Sequence, residues 1–232
     1  MGENKNDLFN WYETKAMKKL IGEKDNYDYS KTGIHPDSRI LCCGMTGSGK
    51  TMALLHYIRL SPNLYSRVIV FYKESEKLYE LLNQGLGGKV EFHSQLSELP
   101  TLKKIREGMN EKERILLILD DWVLELKNYP NVNDYFIMGR KKNCTLFLLS
   151  QDYYRIPIPL RNQMTYLLLF KMAQKRDIDS ILSQYDNKEK QLLPYYKEIT
   201  SKPNNFMKIT TSNCNDNEKI SRNFIDYLPF KT

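Results

Sequence analysis

No apolar run in this 232-residue chain approaches the roughly eighteen residues that a membrane-crossing helix requires, so no such helix is expected. Cysteine is sparse: Cys42, Cys43, Cys144 and Cys214 are the only four, and none of their spacings matches a zinc site. Read as reduced thiols, they point to a cytosol-like compartment. The polar opening Met1-Gly2-Glu3-Asn4-Lys5-Asn6 carries no secretory leader and lacks the Ser or Thr that a myristoylation site needs. Internal repeats and low-complexity linkers are also missing, so neither a solenoid nor an array of small modules is expected. Asn143-Cys144-Thr145 has the glycosylation pattern but abuts an apolar strand, which argues against its use.

What is present is ordinary in bulk. Hydrophobic residues make up 41% and charged residues 27%, enough for one large domain with a substantial core. Lys and Arg exceed Asp and Glu by 35 to 28, a net charge of +7. That excess suits a polyanionic partner such as nucleic acid, but many lysine-rich proteins share it, so charge alone leaves the partner open.

The most specific stretch is Gly44-Met45-Thr46-Gly47-Ser48-Gly49-Lys50-Thr51, a complete G-x-x-x-x-G-K-[ST] phosphate-binding loop. Its flanks fit: Arg39–Cys43 is apolar enough for a buried strand, and Met52–Ile58 reads as a helix. Glycines let backbone N–H groups close around an anion at a helix N-terminus. Gly44, Thr46, Gly47, Ser48, Gly49, Lys50 and Thr51 are therefore the expected nucleotide-binding residues. Lys50 is expected on the β- and γ-phosphates and Thr51 on Mg²⁺.

Further apolar strands are expected at 68–72, 90–93, 115–119, 145–150, 166–170 and 206–211. Helices are expected at 76–83, 101–107, 132–142 and 177–184, with a short one at 188–193 ended by Pro194. Residues 1–35 read as a short helix and a loop, with Lys15, Lys18 and Lys19 on one helix face, ahead of a domain over 36–232. Strands that are apolar throughout, alternating with helices, imply a mainly parallel sheet covered on both faces, an α/β fold. Its site belongs at the strands' C-terminal ends.

Ile115-Leu116-Leu117-Ile118-Leu119 ends in Asp120-Asp121, the pattern of a Walker B element. Asp120 is expected to hold Mg²⁺, and Asp121 to polarise the attacking water. Two strands intervene in sequence between the phosphate loop and this pair, which resembles the additional-strand class of P-loop NTPases. The guanine-reading Asn-Lys-x-Asp is missing, since Asn187-Lys188-Glu189-Lys190 fails at its last position, so a GTPase is disfavoured. The strand 145–150 runs into Gln151, whose amide can bond both a γ-phosphate and the attacking water. Arg140 and Arg161 are the candidates for an arginine offered to a neighbouring subunit's γ-phosphate, Arg140 slightly favoured.

These elements, in this order, resemble those of FtsK–HerA-type ATPases. The closest resemblance is to the poxvirus-type genome-packaging ATPases of large DNA viruses and virophages. The specific part is the succession Gly139-Arg140, Ser150-Gln151, Ile156-Pro157 and Leu160-Arg161-Asn162, within a likeness spanning about residues 35 to 210. That branch often has His after the matched Arg, where this chain has Lys141. The resemblance implies a homo-oligomeric ring, a hexamer, that uses ATP and Mg²⁺ to move double-stranded DNA into a viral capsid. It implies work in the host cytoplasm, in a viral factory, or in the virion, and no membrane partner. Lys103, Lys104, Lys141 and Lys142 are the candidate DNA contacts. The competing reading is a nucleotide or nucleoside kinase with Lys171, Lys175 and Arg176 on a lid. A third is a noncatalytic ATP-binding module, which the intact Lys50, Thr51, Asp120 and Asp121 disfavour. No nuclease domain is evident, which speaks against a terminase that cuts and packages in one chain.

Overall fold

The structure, a computed structural model, describes residues 14–15, 27–74, 77–186, 190–212 and 214–230. The expected N-terminal helix, with Lys18 and Lys19, falls outside them apart from Thr14 and Lys15.

The apolar runs form strands as their composition requires. They are β1 Arg39–Cys43, β2 Arg67–Tyr72, β3 Val90–His93, β4 Ile115–Asp120, β5 Cys144–Ser150 and β6 Tyr166–Leu169. Three more follow: β7 Met207–Thr210, β8 Ile220–Arg222 and β9 Asp226–Tyr227. Together they make one sheet in the order β3-β2-β4-β5-β1-β6-β7-β8-β9. Pairings from β3 through β6 are parallel, and those from β6 to β9 antiparallel. β5 lies between the phosphate-loop strand β1 and the acidic strand β4. The additional strand in space is thus β5, which follows the acidic strand in sequence, and not one of the two that precede it.

Successive strand residues face opposite sides. Ile40, Cys42, Val70, Ile118, Phe147 and Leu149 pack with Leu54 and Tyr57 of helix α1, Lys50–Leu60. Leu41, Cys43, Phe71, Leu117, Leu119 and Leu148 pack on the other face against Val132, Tyr135 and Phe136 of the helix Pro130–Met138 and Ile181 of the helix Lys175–Leu182. The remaining helices are α2 Lys77–Gly85, α3 Leu102–Ile105, α4 Pro130–Met138, α5 Ile158–Arg161, α6 Lys175–Leu182, α7 Leu192–Thr200 and α8 Asp216–Lys219. Cys42 and Cys43 point to opposite faces, as expected, and all four cysteines are free thiols.

Two helix expectations need correction. The helix expected at 132–142 starts earlier, at Pro130, because proline's fixed φ suits the first helical position. It gives way to a tighter turn, Gly139–Lys142, closed by Asn143 at φ 49. Pro194 does not end a helix. It lies in the first turn of α7, where its missing N–H has no intrahelical partner to lose.

The antiparallel extension is fastened by Lys208 of β7, which is fully buried. Its ammonium donates to the carbonyls of Gly33 at 3.3 Å and of Phe224, and lies 4.9 Å from the Tyr227 ring centroid. Burial pushes its pKa down to about 8. Above that value the folded chain releases a proton that the unfolded chain keeps up to the ordinary lysine range, so raising pH there favours folding. Going from pH ~7 to pH ~9.5, wild type should gain about 2 kcal/mol relative to Lys208→Met. Denaturant titrations at the two pH values check this, and a difference that does not change with pH rules it out.

Candidate active site

Strand register decides which residues meet. Cys43 at the end of β1 is level with Ser150 of β5, and Asp120 of β4 is level with Leu149. The phosphate loop, the acidic pair and Gln151 therefore leave the sheet at one edge. The loop is anchored there by Gly44 N donating to Ser150 O at 3.1 Å and Met45 N donating to Lys171 O at 2.9 Å.

Two loop glycines are required by contact, and Gly49 by conformation as well. A side chain at Gly44 would lie 2.5 Å from Phe170 Cβ and 2.9 Å from Ser48 Oγ. Gly49 caps α1 at φ 102, and a Cβ there would come within 3.0 Å of Asn204 Cα. Asn204, at φ 62 in the turn before β7, thus sits directly against the loop.

The walls of the resulting cleft, about 570 Å³ in volume, include Thr46, Gly47, Gly49, Lys50, Thr51, Asp120, Asp121 and Gln151. The Lys50 ammonium folds back on the loop, donating to Gly44 O at 2.9 Å and Met45 O at 3.1 Å. Burial lowers its pKa, and the nearby Asp120 carboxylate acts in the opposite direction. Thr46 Oγ1 donates to Gln151 Oε1 at 2.7 Å, and Gln151 Nε2 donates to Asp121 Oδ2 at 3.2 Å. The amide of Gln151 thereby joins the phosphate loop to the second acid of the pair. Asp121 takes a left-handed φ of 61 while its N–H still bonds Leu149 O at 3.1 Å, which turns its side chain off the strand line. Asp and Asn tolerate that conformation better than most residues. Ser48 Oγ is buried without a hydrogen-bond partner among the described residues.

The sequence reading missed residues in the cleft and behind it. Tyr79 of α2 donates its hydroxyl to Asp120 Oδ2 at 2.5 Å, fixing one carboxylate oxygen of the strand-end acid. Lys73 and Glu74, just past β2, line the cleft itself, with Lys73 held by Glu125 at 2.7 Å. A lone Tyr in an amphipathic helix has no local signal, but Lys73 and Glu74 had one: they follow an apolar strand at its C-terminal end, where such sheets carry their sites.

The two arginines lie outside the cleft walls. Arg140 is exposed on the turn before β5; burial first, and then its charge, lowers the pKa values of His35 and of Arg39 at the start of β1. The seven residues of β5 separate it from Gln151, about 20 Å at the usual strand rise. Within one chain it is thus at the sheet edge opposite the phosphate loop. Arg161, half-buried, stacks its guanidinium 4.9 Å from the Tyr153 ring and 5.2 Å from the Tyr154 ring, just past Gln151. Lys103, Lys104, Lys141 and Lys142 are all exposed. Among the described residues no helix is long and apolar enough to cross a membrane.

Solved structures share this fold. The genome packaging NTPase B204 from Sulfolobus turreted icosahedral virus 2, in complex with sulfate, superposes with a TM-score of 0.61 at 16% identity, covering 85% of this chain and 99% of that one. The same protein in complex with ATP-gammaS gives 0.59 at 16% identity, covering 85% and 100%. EssC (ATPases 2 and 3) from Geobacillus thermodenitrificans gives 0.51 at 15% identity, covering 84% of this chain and 40% of that one. No curated protein sequence matches. At such identities the structural likeness establishes the fold; family membership rests on the sequence model for Poxvirus A32 protein, which matches residues 26–226. The chain belongs to the poxvirus A32 protein family.

Proposed function

We propose that this chain is the ATP-hydrolysing motor that packages double-stranded viral DNA into a capsid. The observation that carries the reading is the junction of loop, acid pair and amide: Thr46, Gln151 and Asp121 are hydrogen-bonded in one line beside Lys50 and Asp120. Membership of the A32 family and the fold shared with a genome packaging NTPase support the biological role.

In this mechanism the loop N–H groups and Lys50 take the β- and γ-phosphates. Asp121 accepts the proton of the attacking water. Gln151 bonds the γ-phosphate and Asp121 by turns, so hydrolysis changes its contact with Thr46. Mg²⁺, when bound, shields the phosphate charge. The donor set fits it, because Mg²⁺ is usually held by one or two carboxylates together with substrate phosphates rather than by a dedicated protein cage. Thr51 and Asp120 would hold it, and no cluster of three His, Cys, Asp or Glu side chains is found among the described residues.

Arg140, about 20 Å from Gln151 at the usual strand rise, favours a ring in which each subunit offers this arginine to its neighbour's nucleotide. A hexamer is the proposed form. Lys103, Lys104, Lys141 and Lys142 are proposed to touch DNA phosphates without reading sequence. The kinase reading loses support because Lys171, Lys175 and Arg176 are not among the cleft walls. The proposed place of work is the site of virion assembly, in the host cytoplasm or the virion.

The test is ATP hydrolysis with and without double-stranded DNA over a range of salt. DNA should stimulate turnover, and the stimulation should fade as salt rises, because phosphate contacts release counterions. Turnover indifferent to DNA at every salt and protein concentration would sink the translocase reading, and phosphate transfer to a nucleoside would replace it.

A further inference from the structure

The phosphate cleft is not closed at every side. Met52, Leu78 and Asn204 line it, and the same three residues line a second cavity of about 440 Å³. That cavity runs along the exposed side of α1, past His56 and Arg59, to Phe224. Its walls are largely apolar or planar. The His56 and Phe224 rings lie 5.8 Å apart and are inclined by 33°. The Arg59 guanidinium contacts His56 Nδ1 at 3.0 Å. Asn204 stands at the junction, exposed, with its backbone at φ 62 and its side chain against Gly49.

A triphosphate whose terminal phosphate faces Asp121 and Gln151 must lead its other end away from them. Of the remaining walls, Met52, Leu78 and Asn204 are the ones that continue into a second cavity. We propose that the second cavity receives the ribose and purine base of the nucleotide, the base against His56 and Phe224 and the Asn204 amide on a ribose hydroxyl or base edge. The volume lies within the usual range for small-molecule sites, about 300 to 1,000 Å³. Flat rings and a guanidinium accept a flat heteroaromatic base, and an amide offers both a donor and an acceptor. This inference rests on the phosphate loop binding a nucleotide, and it adds the residues that recognise the rest of that ligand.

Competition binding with ATP and with inorganic tripolyphosphate tests it. Wild type should bind ATP more tightly than tripolyphosphate. His56→Ala and Asn204→Gly, the latter keeping the left-handed turn, should each weaken ATP binding about tenfold, the order expected for loss of one base-stacking contact or one hydrogen bond. His56→Ala, whose side chain lies outside the phosphate cleft, should leave tripolyphosphate affinity unchanged, which also shows that this variant is folded. The proposal is overturned if neither variant weakens ATP, or if both probes weaken equally, which would make these residues supports of the loop. Lys50→Ala separates the two readings: it should weaken both probes, and if it weakens neither, the phosphate site itself is misassigned.

Discussion

Lys50→Ala should lower ATP hydrolysis by a hundredfold to about a thousandfold, the usual cost of deleting one preorganised charge-stabilising donor. The preorganisation is visible. The ammonium is already on the loop, bonded to Gly44 O at 2.9 Å and Met45 O at 3.1 Å, so nucleotide binding exchanges carbonyl oxygens for phosphate oxygens at small reorganisation cost. Alanine removes the one loop cation facing the phosphates, and it fits the helix start, so stability should hardly change. Arginine should not restore activity. Its planar fork is larger than an ammonium and cannot occupy the same position within the loop. Phosphate release at saturating ATP, beside a thermal melt, is the measurement. A variant that melts like wild type and keeps more than about a tenth of its turnover would show that Lys50 is not the donor in question.

Asp121→Asn should act differently. The amide has almost the shape of the carboxylate but cannot take a proton, so turnover should fall between about a hundredfold and ten-thousandfold, the span of a general base. Nucleotide affinity should stay within about threefold, because the loss belongs to the transition state alone. Gln151 donates to Asp121 Oδ2 at 3.2 Å and accepts from Thr46 at 2.7 Å, so the three act as one unit. Losses in Thr46→Ala and Gln151→Ala should accordingly fail to add. If Asp121→Asn turned over like wild type, the base would have to be sought elsewhere in the cleft. The exposed carboxylate of Glu74 on the same wall would then be the next residue to change.

The eight residues Gly44–Thr51 could be read without a structure because their chemistry is contiguous: backbone N–H groups, a lysine and a hydroxyl arrive in order on one turn. The same holds for Ile115–Asp121, where a strand long enough to be buried ends in two acids. Core strands were legible for a similar reason, since a sheet covered on both faces leaves little room for polar residues within them. Less local features were not. β8 and β9, of three and two residues, carry no pattern long enough to register. Pro194 looked like a stop because a proline's effect depends on its place in a helix that the sequence does not number.

The sequence by itself determined the reactive groups and the strand ends that carry them. It also placed Lys50, Thr51, Asp120 and Gln151 at one edge, since the strands before the phosphate loop, through Asp120 and before Gln151 run parallel and a parallel sheet aligns its C-terminal ends. Tertiary structure alone decided what depends on distant pairing. It put β5 between β1 and β4, brought Tyr79 to Asp120 and Asn204 to Gly49, and set Arg140 at the opposite edge, far from its own cleft. The reason is range. Backbone conformation and burial act over a few residues and leave their mark in the string, whereas strand order and side-chain meetings arise from the packing of the whole sheet, where the same local pattern permits many neighbours.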